Sequence, residues 1–244
     1  MKKYLLLALI PLVGFAADNE LTDAEKAAGW KLLFNGKTTE GWRSAKGPEF
    51  PKAGWTIVDG MFHTESTGGK ESAAAGDIIT VDKFTKFEVS VDFKLTKGAN
   101  SGLKYFVQPN LNQGAGSAFG LEFQMLDDEN HPDAKLGTNG NRTIGSLYDI
   151  ITANKDKKPS PIEQWNTALV KTDGKKTEHW LNGMLVVSYD RTTDEFKALV
   201  AKSKYADKKY GGHFGEWESG HILLQEHGDE VWFKNVKIKD LSSK

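Results

Sequence analysis

The segment Asn166–Asp190, "NTALVKTDGKKTEHWLNGMLVVSYD", decides the fold. It reads as a strand, an Asp173-Gly174 turn, a second strand, an Asn182-Gly183 turn and a third strand. Asn-Gly and Asp-Gly between alternating apolar residues are strong short-range hairpin signals, so the segment predicts a three-stranded meander.

The same grammar extends in both directions. Trp55 to Ser66 predicts a hairpin about Asp59-Gly60. Ahead of it, "WKLLFNGKTTEGW" predicts a strand running into an Asn-Gly turn. Between Asp77 and Gly98 two strands follow. In the second, Phe87, Val89, Val91 and Phe93 share one face while Glu88, Ser90 and Asp92 share the other. That alternation is the signature of an antiparallel sheet wetted on one side. "SGLKYFVQ", "GLEFQMLD" and "GSLYDI" are further strand candidates, and "GHILLQEHGDEVWFKNVKIKDL" closes the chain as a hairpin. Two short helices flank this core. One begins at a Thr22/Glu25 capping box and stops at Gly29; the other begins at Thr192 with Glu195. About a dozen strands without a βαβ rhythm predict two antiparallel sheets packed face to face.

The chain has 244 residues, a formal charge of −1, 25 Gly, 7 Trp and no Cys. Its start reads as a secretory signal peptide over residues 1–17. Lys2 and Lys3 form the basic region, Tyr4 to Val13 the apolar region, and Gly14-Phe15-Ala16-Ala17 the cleavage zone. Export to the periplasm or beyond is expected, with residues 18–244 as one domain. Loss of Lys2 and Lys3 takes the charge to near −3. Charges of both signs are interspersed, so no nucleic-acid footprint and no membrane-binding patch is expected. Without cysteines the stability must come from the core.

Phosphate-loop, dinucleotide, nucleophile-elbow and zinc-protease motifs are all missing from the sequence. In "FGLEFQMLDDENHPDA", Leu121, Phe123 and Met125 point to one face, and Glu122 and Gln124 to the other. Near the other end, Ile222 and Leu224 oppose His221, Leu223, Gln225 and His227. Lys104 and Phe106 oppose Leu103 and Tyr105. If these strands are neighbours, Lys104, Glu122, Gln124, Gln225 and His227 gather on one sheet face that grips hydroxyl groups and moves protons. Ordinary solvated polar residues would give the same pattern. The oxygen-rich loop around Asp127 could bind Ca²⁺, although its spacing fits no EF-hand. Trp180 is expected in the core; exposed rings at Trp42, Trp217 or Tyr148 would point to sugar stacking.

"WKLLFNGKTTEGW", "NSGLKYFV", "EFQMLDDENHPDA", "GSLYDI", "EQWNTALV", "EHWLNG", "SKY" and the terminal "GHILLQEHGDEVWFKNVKIKDL" occur in order, and together they resemble the 3-keto-disaccharide hydrolase family. The resemblance implies a jelly-roll β-sandwich of the concanavalin A-like lectin/glucanase type, secretion, and hydrolysis of 3-keto-glycosides or 3-keto-disaccharides. It departs from the family in one respect: many members carry an Arg after "NSG", where this chain offers Lys104. Where glucanases of this fold carry two catalytic glutamates on one strand, the chain reads Glu122-Phe123-Gln124-Met125-Leu126-Asp127. A two-carboxylate retaining mechanism is not supported by that spacing.

A 3-keto group acidifies the sugar C2–H, so one base suffices for elimination of the C1 substituent and rehydration. His227 is the first candidate base and Glu122 the second, with His131 as acid to the leaving oxygen. Lys104 or a cation near Asp127 would stabilise the enolate. Gln124, Gln225, Asn182 and Tyr148 complete the substrate-binding candidates. A non-catalytic carbohydrate-binding module and a conventional glycoside hydrolase remain open alternatives.

Overall fold

The computed structural model describes residues 17–71, 75–112, 116–206 and 212–242. Residues 1–16, all but the last of the stretch 1–17 expected to be a signal peptide, lie outside them. In chain order the strands are β1 (Trp30–Leu32), β2 (Trp42–Ser44), β3 (Trp55–Val58), β4 (Met61–Thr64), β5 (Ile78–Thr80), β6 (Phe87–Leu95), β7 (Asn100–Gln108), β8 (Phe119–Leu126), β9 (Trp165–Thr172), β10 (Lys176–Leu181), β11 (Met184–Asp190), β12 (His221–Leu224) and β13 (Val231–Asp240). They form two antiparallel sheets. One runs β11-β10-β9-β6-β13-β4-β3, with β1 on β13; the other runs β2-β5-β12-β7-β8. The helices α1 (Asp23–Ala27) and α2 (Asp194–Val200) are short and peripheral. The chain is thus an all-β, two-sheet antiparallel sandwich, as the alternation predicts.

The core lies between the sheets. From the first sheet, Phe87, Val89, Val91 and Phe93 are fully buried; from the second come Leu103, Tyr105, Leu121, Phe123, Ile222 and Leu224. Each such side chain contributes about 1.5–3 kcal/mol on burial. At one end Phe62 packs among Phe34, Phe50, Trp42 and Trp55, with the Phe34 ring stacked at 3.8 Å.

The meander forms as read, with a difference at its first turn. Asn182 and Gly183 both have positive φ, as a type I′ turn requires, and so do Asp59 and Gly60. At Asp173-Gly174 only the glycine does; the Asp173 carboxylate accepts from the amides of Lys175 and Lys176 instead, giving a longer loop.

Four expectations change. "GSLYDI" is a chain of turns rather than a strand: Gly145 and Tyr148 N–H reach β8 at Gln124 O and Glu122 O, but other amides close turns such as Ile150 N–H to Leu147 O, so only an isolated bridge from Leu147 to Phe123 forms. The cap of α2 is Thr193, whose hydroxyl accepts from Phe196 N–H at 3.2 Å, while Thr192 bonds Asp190. A bulge after Tyr105, with Phe106 at φ +53°, turns Phe106 into the core alongside Tyr105 rather than opposite it. Trp180 lies half-buried on the outer face under Lys171, because its neighbour His179 takes the inward position. Trp42 is buried, its indole N–H donated to Leu33 O, and Trp217 packs edge-on against Phe214. Neither is an exposed stacking ring.

Candidate active site

The outer face of the five-stranded sheet holds a cavity of about 360 Å³. Ladder order builds its floor. β7 pairs with β8 so that Lys104 faces Glu122 and Gly102 faces Gln124. On the other flank β12 places Leu223 beside Lys104, and Gln225 N–H continues the ladder to Gly102 O at 3.1 Å. Side chains of this parity all leave one face, so Glu122, Gln124, Lys104 and Gln225 line the cavity, joined at its rim by His227. Gly102 makes room: a Cβ there would lie 2.3 Å from Glu122 Oε1.

Glu122 is 4 % exposed, and its carboxylate accepts no hydrogen bond from the described residues. Lys104 Nζ stands 3.5 Å away. Burial raises the Glu122 pKa; Lys104, Lys204 and His227 pull it back and Glu71 pushes it up. The result is a desolvated, under-bonded carboxylate, more basic than one in water. Lys104 is itself engaged by Ser117 Oγ and, at 3.5 Å, by Ala118 O. Its ammonium therefore holds Glu122 rather than reaching for a ligand.

Three polar atoms at the floor and rim are buried without a partner: Gln124 Oε1, Gln225 Oε1 and His227 Nδ1. Leaving such a group unpaired costs about 1–3 kcal/mol, which a ligand rich in hydroxyls would recover.

One wall is an ionic network. Tyr148 Oη donates to Asp133 Oδ2 at 2.8 Å, Arg142 bridges Asp133 and Asp149, and Asp149 accepts Lys204 N–H at 2.7 Å. Burial first, then the nearby Glu122 and Asp133 carboxylates, raise the Tyr148 pKa well beyond the ordinary phenol range, so it remains protonated. Lys204 Nζ lies 4.2 Å from the Tyr148 ring centroid. It is a second cation at the cavity, and desolvation lowers its pKa. Lys204 is exposed as a residue, so solvent screens much of that effect.

Lys104, Glu122, Gln124, Gln225, His227 and Tyr148 thus meet in one cavity. His131 stands behind His227, with ring centroids 6.1 Å apart, and its Nδ1 accepts Asp133 N–H. Asn182 does not belong: it sits in the β10–β11 turn, where its side chain binds Thr167 N–H, Lys158 O and Asn166. It is there because a type I′ turn favours Asn at positive φ. Lys204 and the buried Asp77 escape the sequence reading. Lys204 appears there only within "SKY", and Asp77 reads as the start of a strand.

Asp127 does not fit a Ca²⁺ site. Burial pushes its pKa up, but its two oxygens accept from Gly98 N–H, Glu129 N–H, and the backbone and side chain of Asn130, and together these bonds hold it below the ordinary carboxylate value. His131, His227 and Asp229 bring one ligand atom each within 4.8 Å of the others. Two of their donor atoms are already engaged. With His131 Nδ1 accepting an N–H, the neutral ring carries its proton on Nε2, and Asp229 Oδ2 already accepts Asn100 N–H.

A family model described as a 3-keto-alpha-glucoside-1,2-lyase-like domain matches residues 29–239. A Bacteroides thetaiotaomicron protein named 3-keto-disaccharide hydrolase is 35 % identical over 232 residues, covering 88 % of this chain and 79 % of that one. A Parabacteroides distasonis crystal structure, described provisionally as a glycosyl hydrolase, superposes with a TM-score of 0.78 at 31 % identity, covering 93 % of this chain and all of that one. A Bacillus subtilis protein with a galectin-like fold reaches 0.50 at 15 % identity over 82 % of this chain and 89 % of its own, a likeness of fold alone.

Proposed function

This chain belongs to the 3-keto-alpha-glucoside-1,2-lyase-like family, and from that premise we propose that it is an exported glycosidase acting on 3-keto-glycosides or 3-keto-disaccharides by elimination and rehydration. The observation that carries the reading is the buried, under-bonded Glu122 carboxylate sharing one cavity with unpaired amides and an imidazole.

The geometry favours Glu122 over His227 as the base. In the proposed reaction Glu122 takes the proton from C2, and the C2–H electron pair forms the enolate of the C3 ketone. The enolate collapses, forming the C1–C2 double bond as the C1–O bond breaks. His227 delivers a proton to the departing oxygen, with the His131 ring standing behind it. Water then adds across the double bond: its oxygen bonds to C1 as His227 takes back a proton, and Glu122, its proton exchanged with solvent, protonates C2, so both groups are restored and the net reaction is hydrolysis. Lys204, the cavity cation not tied up by Glu122, stabilises the enolate oxygen. Gln124 and Gln225 accept sugar hydroxyls through their free carbonyl oxygens, and Tyr148 shapes the wall. Lys104 serves by holding Glu122, not by touching substrate. The route forms no oxocarbenium ion and so needs no second carboxylate at a fixed distance from Glu122.

The test compares a 3-keto-glucoside with the corresponding plain glucoside in deuterated water. Turnover of the keto compound alone, with one solvent deuteron at C2 of the product, supports the reading, together with at least a 100-fold loss in Glu122→Gln. Equal rates on the two glycosides, or product without deuterium, would overturn it. Tight binding without turnover would instead make the chain a carbohydrate-binding module.

A further inference from the structure

Behind the cavity floor lies a second buried acid that the proposed chemistry does not use. Asp77, just before β5, is 3 % exposed. One of its oxygens accepts Glu226 N–H at 3.1 Å; the other accepts Ala118 N–H at 3.0 Å and the Ser117 hydroxyl in a short hydrogen bond. The same Ser117 oxygen receives Lys104 Nζ, also in a short contact. A continuous line therefore runs Asp77–Ser117–Lys104–Glu122, from the interior to the cavity. Lys104 is the only lysine buried among the described residues, and it stands between two buried carboxylates.

We propose that Asp77 is a positioning residue which, through Ser117, draws the Lys104 ammonium back from Glu122 and so keeps Glu122 basic. An ammonium shared between two anions neutralises each less than it would neutralise one alone. Burial raises the proton affinity of both acids and Lys104 opposes the rise in both, as sharing requires. The other groups facing Glu122 are Lys204 and Tyr148 from the cavity wall, His227 from the β12–β13 connection and Glu71 from the segment after β4. None of these is bonded to Asp77; Glu71 meets the line only at the Ser117 backbone N–H, which Asp77→Asn and Ser117→Ala both keep. That Glu122 matters to turnover rests on the proposed function; the coupling itself does not.

The experiment follows the Glu122 carboxyl carbon by ¹³C NMR in the full chain labelled at glutamate, its signal assigned by its loss in Glu122→Gln. Asp77→Asn removes the competing anion, and Ser117→Ala cuts the link while leaving Asp77 in place. The Glu122 midpoint is expected to fall by about one pH unit in each variant, the size of shift one nearby charge produces. An unchanged or raised midpoint in either variant that retains the wild-type fold by circular dichroism would overturn the proposal. Should Asp77→Asn fail to fold, Ser117→Ala decides alone. The acid limb of kcat/KM should move down by the same amount. A midpoint that moves while the rate profile stays fixed leaves the coupling intact and removes Glu122 as the base.

Discussion

Gly102→Ala is a sharp probe of the cavity floor, because Gly102 touches Glu122 through an atom it lacks. A methyl group there would sit 2.3 Å from Glu122 Oε1, 3.0 Å from Cδ and 3.1 Å from Cγ. An ordinary carbon–oxygen contact is near 3.3 Å, so the carboxylate must retreat by about 1 Å. It moves on the end of a flexible side chain, which limits the stability loss to about 1–3 kcal/mol, the usual cost of one extra methyl in a packed region. Function is hit harder: a misplacement of about 1 Å at the reacting group costs on the order of 100-fold in rate. The assay is turnover of a 3-keto-glucoside alongside urea denaturation. Gly47→Ala serves as the control, since a Cβ there meets nothing nearer than Ser44 Cβ at 3.9 Å. The expected result is a kcat reduced about 100-fold in Gly102→Ala, a smaller change in KM, and wild-type behaviour in Gly47→Ala. Activity of Gly102→Ala within two-fold of wild type, with Glu122 unmoved in a crystal structure, would refute the reasoning.

Other regions give separate tests. His179 is fully buried, donating from Nδ1 to Gly145 O and accepting Tyr105 Oη–H, and desolvation lowers its pKa to about 4. The unfolded chain, with His near 6.5, therefore binds the extra proton first. The contribution is fully present above pH 6.5 and is lost as pH falls toward 4, by about 2.5 kcal/mol between pH 7.5 and 4.5. Urea unfolding at the two pH values, with His179→Gln as the non-titrating comparison, checks this; an equal pH dependence in both proteins would refute it. Lys104→Met leaves Glu122 and Asp77 buried without their cation and should lower stability by about 3–5 kcal/mol, read from the urea midpoint at pH 8. Asn182→Ala should cost about 1–2 kcal/mol in thermal unfolding, through the strained φ and lost turn bonds, with turnover unchanged.

Strand-forming segments, their faces and most turns were legible from local rules. Leu121, Phe123 and Met125 had to oppose Glu122 and Gln124 because a strand alternates. Asn182-Gly183 had to turn because few other pairs accept positive φ in succession. These rules act within a few residues, so the sequence by itself determined the sandwich class and the polar parity of β8. The same rules misplaced Asn182, since turn chemistry and ligand binding favour the same amide. They also missed the bulge at Phe106.

Which strands stand side by side is a long-range matter, and only the tertiary structure decided it. Lys104 meets Glu122 because β7 and β8 pair in one register, and Gln225 and His227 join them because β12 inserts between β5 and β7 from more than a hundred residues away. Asp77 reaches Lys104 only through that arrangement. Alternation assigns a side chain to a face; the burial of the whole core selects its neighbours, and with them the basicity of Glu122.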